Sequence, residues 1–344
     1  MKCLQKYFVF FLCLCILFSC TACSNRKNTP QEKTYHSFFD TISYVYSYKN
    51  DTKKEFEENA GNVSDILKEY HKLFDIYNEY PNISNLCTVN KNAGIKPTEV
   101  DKKLIDFMLY AKEMYSLTNG KLNVMMGSVL SLWHNAKNTS TIPSLQLLKD
   151  ANEHTDFSLL KIDETNNTLY ITDANASLDV GALGKGYATE MAANFLEQNG
   201  VTSYVLNIGG NIRIIGTKPD GSGWITGIKN PDKSNSEMAE YLDLSDVSCV
   251  TSGSYERFFT VESKKYHHII DPQTLMPSDK FSSVSVITKH SGLADALSTA
   301  LFCMDYKNGV SLVNSLDGVE ALWITSDGQI LYSKNMQSYV SKNH

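Results

Sequence analysis

The chain has 344 residues and a net charge of −6, with 20% charged and 42% hydrophobic residues. Lysines and arginines are scattered without a basic stripe, which argues against a nucleic-acid partner. No internal repeat or low-complexity segment is visible, and about 300 residues remain for one large domain or two closely fused lobes once a leader is set aside.

Lys2 and Lys6 precede an apolar run from Tyr7 to Phe18, too short to span a bilayer and of the length of a secretory h-region. The segment LFSCTACS, Leu17 to Ser24, then resembles the lipobox of bacterial lipoproteins, in which a cysteine is lipidated and becomes the mature N-terminus. Cys20 has Leu17 three places before it and Ser19 just before it. Cys23 has Ala22 before it and a polar tail after, and is assigned the lipid, with Cys20 as the alternative. Residues 1–23 are then signal peptide and lipobox, the polar stretch 24–34 a tether, and 35–340 the folded domain. The protein is expected on the extracytoplasmic face of the bacterial cell membrane, held by a lipid anchor. Outside the leader only Cys87, Cys249 and Cys303 remain, an odd trio without CxxC spacing that fits neither a disulfide framework nor a zinc site.

In chain order, the alternation of Ile42, Tyr44, Tyr46 and Tyr48 predicts a strand over 39–48. Val63, Ile66, Leu67, Tyr70, Leu73 and Phe74 mark a long amphipathic helix. A second helix carries Leu104, Met108, Ala111 and Tyr115 and stops at Asn119 and Gly120. Leu169, Ile171, Leu178 and Val180 alternate as in a strand, and Tyr187, Met191, Phe195 and Leu196 recur at helical spacing up to Gly200. Between them lies DVGALGKGYA, Asp179 to Ala188, read as a strand-to-helix junction. Its glycines let backbone approach a ligand, and the first helical turn offers amides to an anion. It is not a P-loop, because Asp179 stands where that motif needs glycine and Gly186 where it needs Ser or Thr; the dinucleotide fingerprint also fails on glycine order.

A strand from Tyr204 closes at Asn207, Ile208, Gly209 and Gly210. Further strands are expected at 247–251, 255–261, 266–270 and 284–288, with a terminal hairpin, 322–324 and 330–332, around Asp327 and Gly328. In YHHIIDPQTLMP, Tyr266 to Pro277, only one of His267 and His268 can face a given site, and His268 shares a face with Ile270; Asp271 with Pro272 reads as a turn initiator. The helix 293–304 puts Leu293, Leu297, Ala300, Leu301 and Met304 on one face and Asp295, Ser298 and Thr299 opposite. Asp295 and Thr299 are one turn apart, so their oxygens converge, an arrangement suited to a hard cation near a phosphate. Helices and strands interleave irregularly, which predicts an α+β fold with largely antiparallel sheets.

Taken in order, FFDTISY at Phe38, Tyr77 after the long helix, TNGKLNVMMGSVLSLW at Thr118, DVGALGKGYA, LNIGGNI at Leu206, SGSYER at Ser252, HHIIDPQT at His267 and ADALSTALF at Ala294 resemble the ApbE family of FAD:protein FMN transferases across essentially the whole mature chain. The resemblance implies an α+β enzyme that uses FAD and Mg²⁺ to attach FMN to a Thr or Ser hydroxyl of a target protein. It implies that Asp179 and Lys185 contact FAD, that the Ala182 carbonyl shares the metal with Asp295 and Thr299, and that Phe39, Tyr77, Lys121, Leu122 and Asn123 match flavin or adenosine contacts. His268 matches the family's functional histidine, with a backbone contact to the nucleotide near Ile269. The proton of the acceptor hydroxyl would go to His268 or to a metal-linked carboxylate such as Asp295. Acceptors would be extracytoplasmic flavoproteins. Three departures stand out: Asn123 replaces a common Asp, Phe39 a common Met, and DPQTL lacks the glycine of DPxTG at Leu275, so that turn is expected to bend differently. Two other readings use the same pocket: an FAD pyrophosphatase that gives the phosphorus to water, and a lipid-anchored protein that holds FAD without turnover.

Overall fold

The computed structural model describes residues 30–48, 51–232 and 236–342. The leader, with Cys20 and Cys23, lies outside them. The chain opens with the hairpin β1 (Gln31–Phe38) and β2 (Thr41–Ser47), then the long helix α1 (Lys53–Phe74). Thr52 begins α1 with a capping box, its hydroxyl accepting the Glu55 amide while the Glu55 carboxylate accepts the Thr52 amide. A region of short elements follows: α2 (Leu86–Lys91), β3 (Thr98–Glu99), α3 (Lys102–Leu117), α4 (Gly127–Thr139), α5 (Leu145–Asn152), β4 (Leu160–Asp163) and β5 (Thr168–Ile171). Helix α6 (Gly184–Gln198) leads into β6 (Ser203–Ile208), β7 (Asn211–Gly216), β8 (Trp224–Lys229), β9 (Met238–Leu244) and β10 (Ser248–Gly253). The last part holds the hairpin β11 (Phe258–Val261) and β12 (Lys264–His267), then β13 (Ser283–Thr288), α7 (Ser291–Phe302), α8 (Tyr306–Asn314), β14 (Glu320–Ile324) and β15 (Ile330–Tyr332).

Eight strands form one sheet in the order β1-β2-β6-β7-β10-β13-β14-β15, and every pairing in it is antiparallel. Period-two alternation makes both faces apolar. Tyr204, Leu206, Ile208 and Ile215 look towards a core shared with α1 and α6, whereas Val205, Ile214, Cys249, Ile287 and Leu322 pack under the β8–β9 hairpin through Trp224, Ile228, Leu242 and Leu244. The core under α1 and α6 continues without a break through α3 and the small β3-β5-β4 sheet, with Leu104, Met108, Leu160 and Ile171 in one cluster. The α+β expectation therefore holds.

Several expected details change. Strand β1 occupies residues 31–34, which the polar composition gave to the tether; these residues pair with Tyr44 to Ser47. Phe39 and Asp40, expected inside a strand, form the β1–β2 turn with φ of 53° and 52°. Leu178 and Val180 are buried but lie in irregular chain, so DVGALGKGYA follows a loop rather than a strand. Strand β12 ends at His267, and the segment 268–270 is not strand; His268 is exposed whereas Ile270 is buried, so the two share no face. Cys87, Cys249 and Cys303 are free and buried.

Candidate active site

The site forms where the N-terminal turns of α6 and α7 cross. Each helix is capped by a carboxylate from the other. Asp295 of α7, 4% exposed, accepts the Gly186 amide of α6 on Oδ2 at 2.7 Å. Glu190 of α6 accepts the Gly292 amide of α7 at 2.8 Å and meets His290 Nδ1 at 2.9 Å. Both carboxylates therefore satisfy amides that a helix leaves unpaired in its first turn, where negative charge is favoured. The close crossing requires Gly186, because a Cβ there would stand 2.3 Å from Asp295 Cβ.

This exchange shapes the backbone of the motif. Gly186 lies in the first turn of α6, where an ordinary helix leaves the amide without an intrahelical acceptor. Here it goes to Asp295, and among the described residues no hydrogen bond reaches the Ala182 carbonyl. The second Asp295 oxygen is likewise unbonded among them. Thr299, one turn on, shares its hydroxyl with Ser252 at 3.3 Å, and Ser252 also bonds Ser298 at 2.9 Å. The polar side of α7 faces α6 and β10, with Asp295 and Ser298 buried. Among the described residues no group of three or more His, Cys, Asp or Glu side chains gathers as a metal cage. One carboxylate, one hydroxyl and one carbonyl are nevertheless oxygen donors of the kind Mg²⁺ accepts, since it keeps water and phosphate for its remaining positions.

Around this centre, the Asp179 carboxylate accepts the Gly181 amide at 2.9 Å, which folds the loop entering α6. Leu183 and Gly184 give their amides to Val180. Of the amides the sequence offered to an anion, Lys185's is unclaimed among the described residues, and so is its ammonium. His268 bonds the Arg257 carbonyl through its amide at 3.2 Å and through Nδ1 at 3.1 Å. Nδ1 therefore carries the proton and donates, leaving the Nε2 lone pair free. The ring keeps an open edge, but protein walls the rest. This desolvation, with the positive charges of Arg257 and Lys185, brings the imidazole down to about 4. Its neighbour His267 faces away, donating from Nε2 to the Ser278 carbonyl at 2.7 Å and accepting the Ile269 amide on Nδ1 at 3.2 Å.

The aromatic residues split. Phe39 is held in its left-handed turn by His71, whose Nδ1 accepts the Phe39 amide at 3.2 Å while the rings meet edge to face at 5.6 Å. Tyr77 is 68% exposed, with its hydroxyl 3.3 Å from His134 Nδ1. Partial desolvation, then the Asp179 and Asp40 carboxylates, raise its phenol above the ordinary range.

The 121–123 segment is used differently from a set of three ligand contacts. Leu122 is 1% exposed in the main core. Asn123 spends its side chain on the backbone, donating to the Thr155 carbonyl at 2.8 Å and accepting the Met125 amide at 2.9 Å. Lys121 points its ammonium at Asp271 and Gln273, 2.8 Å from each. Any contact from Leu122 or Asn123 to a ligand is left to main-chain atoms.

A sequence profile of the ApbE family matches residues 40–323. The chain belongs to that family. Among curated relatives, the FAD:protein FMN transferase of Treponema pallidum is 28% identical over 331 residues, covering 92% of this chain and 91% of its own. The enzyme of the same description from Klebsiella pneumoniae is 27% identical and covers 80% of this chain and 84% of its own. The crystal structure of the ApbE protein of Thermotoga maritima superposes with a TM-score of 0.82 at 26% identity, over 91% of this chain and all of that one. The flavin transferase ApbE of Vibrio cholerae, at 23% identity and a TM-score of 0.76, shares the fold.

Within this ApbE chain, sequence reasoning missed three contributors: Glu190, Ser252 and His71. Ser252 lies in SGSYER, so its motif was visible though its partner was not. Glu190 and His71 carry no local signal, since each acts on a segment distant in sequence.

Proposed function

We propose that the protein transfers FMN from FAD to a Thr or Ser hydroxyl of a partner protein, releasing AMP. The observation that carries this reading is the crossing of α6 and α7, which sets the Asp295 carboxylate, one turn from Thr299, against the Gly186 amide next to Lys185 in the motif. Its family membership and the names of its relatives support the same reading.

Asp295, Thr299 and the Ala182 carbonyl would hold Mg²⁺, which when bound neutralises pyrophosphate charge. Lys185 and its amide bind and orient the phosphates, and Asp179 keeps the loop folded around them. Phe39 and Tyr77 supply rings for the flavin or the adenosine. The acceptor oxygen attacks the FMN-side phosphorus in line; the P–O bond to the AMP half breaks, AMP leaves with the bond's electron pair, and His268 Nε2 takes the hydroxyl proton. Nothing in this scheme requires a covalent enzyme nucleophile.

Incubating the protein with FAD, Mg²⁺ and a candidate acceptor domain, then denaturing, should leave flavin fluorescence on the acceptor band. Accumulation of FMN and AMP with an unlabelled acceptor would replace transfer by hydrolysis. Asp295→Ala should abolish turnover and Mg²⁺ dependence together; full activity in that variant overturns the metal assignment. The lipid anchor belongs to the same proposal, with Cys23 as the modified residue, and supports acceptors on the extracytoplasmic face. Mass spectrometry of the mature N-terminus tests it, a start at Cys20 or an unlipidated start being the refuting results.

A further inference from the structure

We propose that Lys121 is a positioning residue, which clamps the turn after His268 through a buried ion pair with Asp271 and so fixes where the His268 ring points. The inference rests on the role given to His268 above. Lys121 and Asp271 meet at 2.8 Å with side chains only 11% and 3% exposed. Among the described residues, Lys121 is the only cation in an ion pair with that carboxylate.

Asp271 is the hub of its turn. Its Oδ1 also accepts the Gln273 amide at 2.9 Å, its carbonyl accepts the Leu275 amide at 2.8 Å, and its own amide donates to the Met276 carbonyl at 2.9 Å. Gln273 returns its Oε1 to the Lys121 ammonium at 2.8 Å, so the lysine grips the turn at two points. The Ser278 amide then donates to the Ile269 carbonyl at 3.0 Å, which ties the far end of the turn to the residue after His268. His268 lies between the β11–β12 hairpin, where Arg257 holds it, and this turn. Displacing the turn swings the imidazole relative to Lys185 and the phosphate loop.

The same geometry separates Lys121 from the ligand contacts suggested by its motif. Its ammonium is committed to two acceptors, and its charge is balanced by a carboxylate that burial leaves without water. Removing one partner of such a pair leaves the other charge buried and uncompensated, so the turn must open or the group must neutralise.

Lys121→Met keeps the stem and removes the charge. Its kcat for FMN transfer should fall by about tenfold or more, the range that misplacement of a catalytic group produces, with KM for FAD and FAD affinity by flavin-fluorescence quenching unchanged. Asp271→Asn should match it, the double variant should be no slower than the worse single, and Lys121→Arg should recover activity. Parent-like kcat in Lys121→Met, additive losses in the double variant, or a rise in KM with kcat intact would each overturn the proposal. If circular dichroism shows Lys121→Met unfolded, Lys121→Gln, which retains a donor for Asp271, should fold and show the same kcat loss; parent-like kcat there also overturns it. His268→Gln, assayed alongside, separates the two levels: full activity in that variant removes the role of His268 itself, whereas an inactive His268→Gln beside a parent-like Lys121→Met removes the clamp alone.

Discussion

Gly186→Ala should loosen the site without replacing any side chain proposed to bind a ligand. The new Cβ would lie 2.3 Å from Asp295 Cβ and 2.5 Å from the Ser291 carbonyl oxygen. Carbon contacts settle at about 3.5–4.0 Å, so α6 and α7 must part by about 1 Å. Neither obstacle is a flexible tip that can swing aside, one being the stem of Asp295 and the other main chain. Overpacking of this kind costs about 1–3 kcal/mol. At about 2.1 cal/mol/K of unfolding entropy per residue, a domain of this size loses about 2–5 °C of melting midpoint for that cost. The shift also strains the 2.7 Å bond from the Gly186 amide to Asp295 and moves the carboxylate relative to the Ala182 carbonyl. A misplacement of about 1 Å can lower a catalysed rate about a hundredfold. Thermal unfolding with transfer assays across a Mg²⁺ titration would show a lowered midpoint, a raised Mg²⁺ requirement and reduced kcat. Gly61→Ala gives the contrast, since an added Cβ there meets nothing within 4 Å and a helical Gly→Ala exchange stabilises by about 0.5–1 kcal/mol. A Gly186→Ala protein with the parent's midpoint and Mg²⁺ dependence would refute the reasoning.

His268, brought down from 6.5 to about 4 in the fold, should keep kcat flat through neutral pH and let it fall only as pH drops through that lower value. Its sign on stability follows from linkage: between the two values the unfolded chain holds the extra proton, so stability rises with pH across that window and is lost on acidification. Denaturant midpoints measured over the window should slope less in His268→Gln than in the parent, and equal slopes would contradict the assignment. Leu275→Gly removes the strain of a left-handed φ of 62° but also deletes a side chain that is 5% exposed beside Trp133. Strain relief of about 1 kcal/mol against a cavity cost of about 2–5 kcal/mol predicts net destabilisation, read by chemical denaturation; a stabilised variant would show that the turn, not the side chain, dominates.

The motifs were legible because their chemistry is local. DVGALGKGYA, the Asp295–Thr299 spacing and the two histidines could each be read within a dozen residues, and the structure brings the first two together. Elements whose stability comes from distant partners were not legible. Strand β1 reads as polar tether because it is a sheet edge that needs only β2 for its backbone. Strand β7 hides behind Arg213, a 3% exposed side chain whose charge is answered by Glu197 and Asp246 from elsewhere in the chain. The DPQTL turn shows the limit from the other side. Without glycine it was expected to bend differently, yet Leu275 takes the left-handed conformation, because burial of its side chain and the Trp133 Nε1 bond to its carbonyl at 2.9 Å offset the backbone strain.

The glycines of DVGALGKGYA perform separate tasks. Gly181 gives its amide to Asp179 and so closes the loop. Gly184 would set a Cβ 3.0 Å from the Phe74 ring, so its smallness admits α1 to the packing. Gly186 admits α7 and hands its amide to Asp295. The Ala182 carbonyl precedes the N-cap Leu183 and, among the described residues, accepts no hydrogen bond. The bond from the Gly186 amide orients the Asp295 carboxylate, a contact between segments 109 residues apart. The acid that fills this first-turn amide comes from a second helix distant in sequence, which is why the glycine pattern alone could not distinguish a phosphate turn from a site able to hold a cation beside the phosphate.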